Sequence, residues 1–452
     1  VTSATAFPPT PVSATDRLIG PARGATAWLR ARARTTPGLL RIVSVALVAA
    51  ITLMWAAAFA AVVVRDHAVH AVSADAGPAF AAAQRLHADL SAADATIASA
   101  VLAGPVEPPE QRRAYDESIA LAEGELRTLA RAGGTAEAGD PLDTLHRQIP
   151  AYTGLIGQAR ANNRQGYVVG GAYLQKASQL MQQTILPAAD SLAASSAEEV
   201  DDRYRRATSS VHVVLVSVAG VVSLAALAAV QVWLFRRTHR RLNLGLLLAT
   251  ACVLVIFAVT LGAFSAERAR MLEGRDHGFV PMSEIAQARV LGLRAWGDES
   301  LSLIARGDGA ALDADADAVA ARLGYTPKGD PTGSGVLPAV TAYLSGEGFR
   351  GGDLAALWRS YQTTSWTVRS GVKDAGGFNG ARELALVDGA AAFKRFDDAA
   401  EAALRTSQQR FDDRLSAAGD RLRGLEAVVI VLSVLAAAAV LAGIQPRINE
   451  YR

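Results

Sequence analysis

The chain has 452 residues, of which 51% are apolar and 19% charged, and a formal net charge of +2. Those averages would suit a large soluble protein, but their distribution excludes one. Four charge-free apolar runs, near 42–64, 211–235, 245–265 and 427–444, are long enough to cross a bilayer core of about 30 Å at ~1.5 Å per helical residue.

Residues 1–41 come first: Pro8, Pro9, Pro11, Pro21 and Pro37 stand among Ser, Thr, Ala and Arg without an apolar period, as in a disordered basic tail whose arginines touch anionic lipid. The run 42–64 is read as the first transmembrane helix. A basic start and Ala58-Phe59-Ala60 also fit a cleaved secretory signal, but the run follows a long tail and stays apolar to Val64, which favours a retained span. Segment 65–210 divides at Gly104-Pro105, at Gly133-Gly134 with Asp140-Pro141, and at Asn162–Gly166 into stretches 66–103, 109–132, 141–163 and 167–210. In the last of these Leu174, Ala177, Met181, Ile185, Ala188 and Leu192 recur every three or four residues, the stripe of a helix buried on one side. Short turns between such stretches predict an up-down-up-down four-helix bundle, its first and last helices long enough to form a stem.

After the second span (211–235), the loop 236–244 carries Arg236, Arg237, Arg240 and Arg241, and the third span follows at 245–265. Segment 266–426 repeats the scheme, with helices expected near 266–306, 309–323 plus 336–346, 352–372 and 381–426; the fourth span (427–444) and a short tail (445–452) complete the chain. Pro78, Ala83, Gln84 and Gly104 reappear as Pro281, Ala286, Gln287 and Gly307, 203 residues on, and Gly171-Ala172 as Gly380-Ala381, which points to internal duplication. The fold class expected is an all-α membrane protein with four transmembrane helices and two tandem extracytoplasmic four-helix-bundle domains.

Charge sets the orientation. Of 43 acidic residues, 18 lie between the first two spans and 23 between the last two, whereas arginines crowd the N-terminal tail, the 236–244 loop and the C-terminus. The positive-inside bias therefore places both termini in the cytoplasm of a multi-pass plasma-membrane protein. Cys252, the single cysteine, sits inside the third span, so no disulfide staples the external segments. Arginine outnumbers lysine 41 to 4, the bias of a GC-rich coding sequence.

Candidate chemistry is sparse. Seven scattered histidines show no spacing suited to zinc or to activating a nucleophile, and neither enzyme activity nor a metal or cofactor is expected. Asp313, Asp315 and Asp317 resemble the start of a calcium loop, but Ala318 and Gly324 stand where glycine and glutamate are required, which leaves a helix-start charge cluster or solvated face. Gly333-Ser334-Gly335 reads as a flexible linker and Arg306-Gly307-Asp308 as a chance turn tripeptide. No span carries an ionisable residue near its centre, against a pump or ion-coupled transporter. Ala439 with Gly443, and Ala219 with Ser223, have the spacing of close helix contacts.

Two surface patches are candidate external partner sites. At ~100° per residue Leu354, Leu357, Tyr361, Val368 and Val372 share a buried side, and Trp366 points away from it beside Arg359, Thr363 and Ser370, the composition of a protein-binding hot spot; a covering loop is the plainer alternative. The other is the distal turn Asn162, Asn163 and Arg164 with Tyr173, where turn chemistry alone would account for the residues. Arg236, Arg237, Arg240 and Arg241 are the cytoplasmic partner-binding candidates. Nothing calls for nucleic acid, and self-association stays open.

The run Asn163-Arg164-Gln165-Gly166, then Gly171 through Ser178 and Ile185-Leu186-Pro187-Ala188-Ala189, within the four-span layout, resembles an actinobacterial family of four-span membrane proteins, the GlnX-like proteins. The resemblance implies a signal relay: an extracytoplasmic solute-binding lipoprotein of GlnH type, loaded with an amino acid, engages the external bundles, and the chain reports to a cytoplasmic Ser/Thr protein kinase of the protein kinase G type. The rivals are a direct small-molecule sensor of chemoreceptor-input type and a structural scaffold of the cell envelope.

Overall fold

The computed structural model describes residues 36–132, 139–166, 169–207, 211–238, 243–305, 309–346, 353–372 and 377–449, and within them the apolar spacing of three and four residues becomes helix. In chain order the helices are α1 (Thr36–His70), α2 (Gly77–Ala103), α3 (Pro109–Arg131), α4 (Gly139–Arg164), α5 (Val169–Leu180), α6 (Leu186–Ala207), α7 (Val211–Thr238) and α8 (Leu244–Gly274). They continue with α9 (Val280–Ile304), α10 (Ala310–Leu323), α11 (Val336–Gly346), α12 (Leu354–Gly371), α13 (Phe378–Leu384) and α14 (Ala390–Asn449). Among the described residues the only extended pairing is the isolated bridge of Tyr325 with Pro331.

The chain divides into two units, one of Val1–Asp66, Ser209–Glu267 and Asp420–Arg452, the other of His67–Thr208 and Arg268–Gly419. Four helices are long and apolar enough to cross a membrane, Leu39–Val64, Val213–Arg236, Leu244–Gly274 and Ala427–Gln445, and all belong to the first unit except the last turns of the third, beyond Glu267. Small residues set their contacts. A Cβ on Gly245 would lie 2.6 Å from the Ala439 carbonyl oxygen and from Gly443 Cα, so the helices touch backbone to backbone there, and Asn243 Nδ2 donates to the Gly443 carbonyl at 2.8 Å. Ser223 Oγ donates to Ala219 O in its own helix (2.8 Å) and reaches Ala50 O at 3.2 Å. Both small-residue pairs singled out in the sequence thus sit at helix contacts.

In the second unit, α2, α3, α4 and α5–α6 form one four-helix set. Its core is built from Tyr115, Ile119, Ala122, Leu126 and Leu129 on α3, Leu145, Ile149, Tyr152 and Ile156 on α4, and Leu174, Ala177, Met181, Ile185, Ala189 and Leu192 on the last helix. The second set is α9, α10 with α11, α12 and α13–α14, around Trp358, Tyr361, Phe393 and Phe396. Asp353 starts α12 by accepting from the backbone N–H groups of Ala355 and Ala356, and Gly324, at φ +98°, ends α10. The sequence stripe on α12 omits Trp358, which is fully buried and is the set's largest core side chain.

The two sets share one interior. Ala88 of α2 belongs to the second core and Leu301 of α9 to the first. Where α2 meets α9, a Cβ on Gly297 would lie 3.5 Å from Ala95 Cα. Arg382, from α13, donates through Nε to the Leu102 carbonyl (2.7 Å) and through a second nitrogen to Ala103 O, supplying donors to carbonyls that end α2. A further cluster of Val72, Ala76, Phe80, Val200, Tyr204, Met271, Phe279, Met282 and Phe411 joins the first and last helices of both sets without any residue of α3, α4, α10, α11 or α12, the stem that the helix lengths predict.

Each set carries the same irregularity twice. π-helical turns interrupt the first helix at Ala71–Ala76 and Arg275–Phe279, and the last helix at Met181–Ile185 and Ala385–Gly389, and both pairs start 204 residues apart. This agrees with the 203-residue offset of Gln84 and Gln287 and supports a structural repeat. The extra residue in the Met181–Ile185 turn also explains why Ala189 is fully buried where the sequence stripe selects Ala188, which is half-buried.

Trp358→Ala should cost about 3–5 kcal/mol, because the ring is enclosed by Tyr361 and Phe396 at centroid distances of 5.2 Å; thermal or denaturant unfolding of the purified chain measures it.

Candidate functional site: a polar cavity between the two helix sets

A cavity of about 380 Å³ lies within the second unit, between α2 and α6 of the first set and α9 and α10 of the second. Helical periodicity selects its walls. Gln84, His87 and Ser91 share one side of α2; Ser283, Gln287, Val290 and Arg294 share one side of α9; Leu186, Asp190, Ala193 and Ala197 share one side of α6. Arg322 reaches the cavity from the end of α10 and Gln182 from the π-helical turn. The repeat partners Gln84 and Gln287 line the same space.

Away from the cavity α2 and α9 carry ion pairs within their own sets: Arg85 pairs with Glu125 (2.6 Å), and Arg289 with Asp397 (2.7 Å) and Glu401 (3.4 Å). Asp89 lies among these groups; burial, only partly offset by Arg289 and Arg85, pushes its carboxyl up to about 7.

Inside the cavity, His87 Nδ1 lies 3.0 Å from Asp190 Oδ1, His87 being buried and Asp190 exposed. Burial alone would raise the Asp190 carboxyl, but the His87 hydrogen bond and the charges of His87, Arg322 and Arg294 outweigh it and hold the group below the ordinary carboxylate range. Arg294 is held in a bidentate pair with Asp315, at 2.6 and 2.8 Å. Arg322 is exposed and makes no ion pair among the described residues. Behind the wall Asp298 is fully buried, accepts from Gln182 Nε2 at 3.0 Å and lies 3.9 Å from Arg294. Burial, with Asp315 next to it, pushes Asp298 up to about 8.

Two further buried acids flank this region. Asp94, 204 residues before Asp298, accepts from Ser178 at 2.8 Å and from the Tyr152 hydroxyl at 3.2 Å, and burial raises it to about 6. Glu299 is raised to about 7 by burial against the opposing effects of Ser365 and Arg369.

The sequence candidates fall elsewhere. Arg359, Thr363 and Ser370 are exposed along α12 and Trp366 is half-buried, with Lys328 Nζ 5.7 Å from its ring centroid. The loop bearing Lys328 packs on this face: a Cβ on Gly329 would lie 2.9 Å from Thr363 Oγ1, and Arg359 stacks 5.9 Å from the Tyr325 ring. Gly333-Ser334-Gly335, expected to be a flexible linker, is instead the return of that folded loop. Thr332 N–H donates to the Gly324 carbonyl at 2.9 Å, and a Cβ on Gly335, at φ +128°, would lie 2.5 Å from Gly324. At the other patch Asn162 Nδ2 donates within its own helix and Asn163 Nδ2 donates to the Gly104 carbonyl (2.9 Å), joining two turns. Asn163 and Arg164 border a smaller cavity of about 160 Å³ with Arg160 and Glu107, and Tyr173 packs against the first core.

Arg236 is exposed at the end of α7, which also contains Arg237; Arg240, Arg241 and Arg306-Gly307-Asp308 lie outside the described residues. The three aspartates of α10 each take a different partner. Asp313 accepts from Ser302 Oγ (2.8 Å), Asp315 pairs with Arg294, and Asp317 with the buried Arg369 (2.7 Å). Among the described residues no group of three or more His, Cys, Asp or Glu could hold a metal ion.

Residues 68–205, which cover the first helix set, match the family model for an actinobacterial sensor domain. With the four apolar helices, the match fits an actinobacterial membrane sensor. No curated protein and no solved structure matches the chain.

A pH dependence follows from the buried acids. Asp94, Asp89, Glu299 and Asp298, at about 6, 7, 7 and 8, all lie above their unfolded values, so the folded chain holds protons that the unfolded chain releases. Their contribution therefore favours folding in acid and is lost as pH rises from about 4 to about 8. The melting temperature should fall between pH 5 and pH 8, and Asp298→Asn, which keeps a donor toward Asp315, should flatten the upper part of that fall; melting curves across this range check both.

Proposed function

We propose that the chain is a transmembrane sensor whose helical unit of residues 67–208 and 268–419 lies outside the cytoplasmic membrane and receives a small polar solute in the cavity between its two helix sets. The observation that carries this reading is that the cavity walls belong to both sets, α2 and α6 on one side, α9 and α10 on the other. A solute that touches both walls alters the free energy of their contact, and a ligand shifts a conformational equilibrium by its differential affinity for the two states. The size of the cavity suits a small molecule, the match of residues 68–205 supports a sensing role, and the partition of acidic and basic residues supports the orientation. The output is a displacement of the spans that changes what the basic cytoplasmic segments present.

The test is thermal unfolding of the full chain in lipid nanodiscs against a library of small polar solutes. Solutes should raise the melting temperature of the wild type and leave Ala194→Trp unaffected. Residue 194 is exposed on the cavity rim, so the tryptophan fills the space while the unliganded melting temperature stays close to that of the wild type. Equal stabilisation of both proteins would refute the cavity as input site.

A second reading, in which an extracytoplasmic solute-binding lipoprotein engages the unit and a cytoplasmic Ser/Thr protein kinase reads the signal, is favoured by the α12 face, where Trp366 stays half-open beside Lys328 on the helix that also exposes Arg359. Photocrosslinking from Trp366 positions in cells should then capture such a lipoprotein. Deleting residues 1–36 together with neutralising Arg236, Arg237, Arg240 and Arg241 should abolish kinase recovery in a pull-down, and unchanged recovery would refute the inner half of this reading.

A further inference from the structure

The charge pattern of the cavity narrows the solute. Gln84, Gln287 and Ser283 offer neutral hydrogen-bonding groups, and Leu186, Pro187 and Ala197 an apolar floor. The charged groups are unevenly committed. Asp190 has the adjacent His87, and Arg294 has Asp315 as a bidentate partner, whereas Arg322 brings a guanidinium to the rim with no ion pair among the described residues. Arg322 and Arg294 both act electrostatically on Asp190, so the cationic and anionic groups bear on the same small volume. An uncommitted guanidinium is a planar array of donors with no acceptor, and its best-matched small partner is a carboxylate. The fixed charge of Asp190 on the facing wall disfavours a compact dianion such as hydrogen phosphate and favours a solute whose carboxylate stands apart from a hydroxyl, amide or ammonium donor.

Resting on the reading of the cavity as the input site, we infer that it takes a small carboxylate solute, its carboxylate held by Arg322 with Arg294 behind it and its donor end turned toward the His87–Asp190 pair and the glutamines. A solute held in this way bridges the α9–α10 wall to the α2–α6 wall.

Isothermal titration of the full chain in nanodiscs tests this with lactate, malate, glutamine, inorganic phosphate and erythritol as probes. At least one of the three carboxylates should bind saturably, with phosphate and erythritol inert. Arg322→Gln should weaken that binding about ten- to a hundredfold, Arg322→Lys should restore part of it, and neither should alter the unliganded melting temperature, because Arg322 is exposed. Phosphate binding without carboxylate binding, or equal carboxylate affinity in wild type and Arg322→Gln, would overturn the assignment. Erythritol binding that Ala194→Trp abolishes and Arg322→Gln spares would overturn the carboxylate class and leave the cavity reading standing. Failure of every probe, with no difference between wild type and Ala194→Trp, would overturn both.

Discussion

The contact of α2 with α9 is the constraint on which the helical unit depends. Each helix is the first of its own set, each gives a residue to the other set's core, and Ala95 packs on Gly297, where an added Cβ would already be in van der Waals contact. With the single cysteine buried among the span helices, no covalent link is available to hold the sets together. Packing along this seam does that work, helped at one end by Arg382 on the carbonyls that end α2 and at the other by the cluster around Phe80, Tyr204 and Phe411. The cavity is the stretch where the seam opens on one side, while on the other Arg85 of α2 reaches Gln408 of α14 at 3.4 Å.

Buried acids are concentrated along the same two helices. Asp94 and Asp298 occupy matching positions in the repeat, but their surroundings differ. Asp94 is satisfied within its own set by Ser178 and Tyr152, whereas Asp298 takes Gln182 from the opposite set and shares Arg294 and Asp315 within its own. Hydrogen bonds of this kind contribute little net stability, yet a shift in register would leave the acids without partners, which costs far more. They fix how the two sets are aligned, and Asp298 links that alignment to the wall of the cavity.

Much of the helix layout was legible in the sequence, because three- and four-residue spacing and Gly or Pro breakers are local signals. Stretch 109–132 became Pro109–Arg131, and 336–346 appeared with the same limits. The face of α12 was legible through Leu354, Tyr361 and Val368, and Trp358, four residues after Leu354 and three before Tyr361, keeps the same spacing although the stripe omits it. His87 and Asp190 are separated by 103 residues and belong to helices whose pairing only the fold supplies, so no spacing rule could join them. Gln84 and Gln287 did leave a trace as a repeat match, but nothing in the chain told that the two copies would face one another. The loop from Gly324 to Gly335 misled because glycine and serine suggest freedom, whereas here Gly324 and Gly335 are required by a backbone approach too close for a side chain.

The widened turn at Met181–Ile185 sets the azimuth of everything after it. One residue fewer would swing the following helix by about 100°, carrying Asp190 and Ala193 out of the cavity wall and breaking the run of Ile185, Ala189 and Leu192 into the core. The same widening stands at Ala385–Gly389, so the last helix of each set takes its angular setting from one wide turn, although the side chains around the two turns differ.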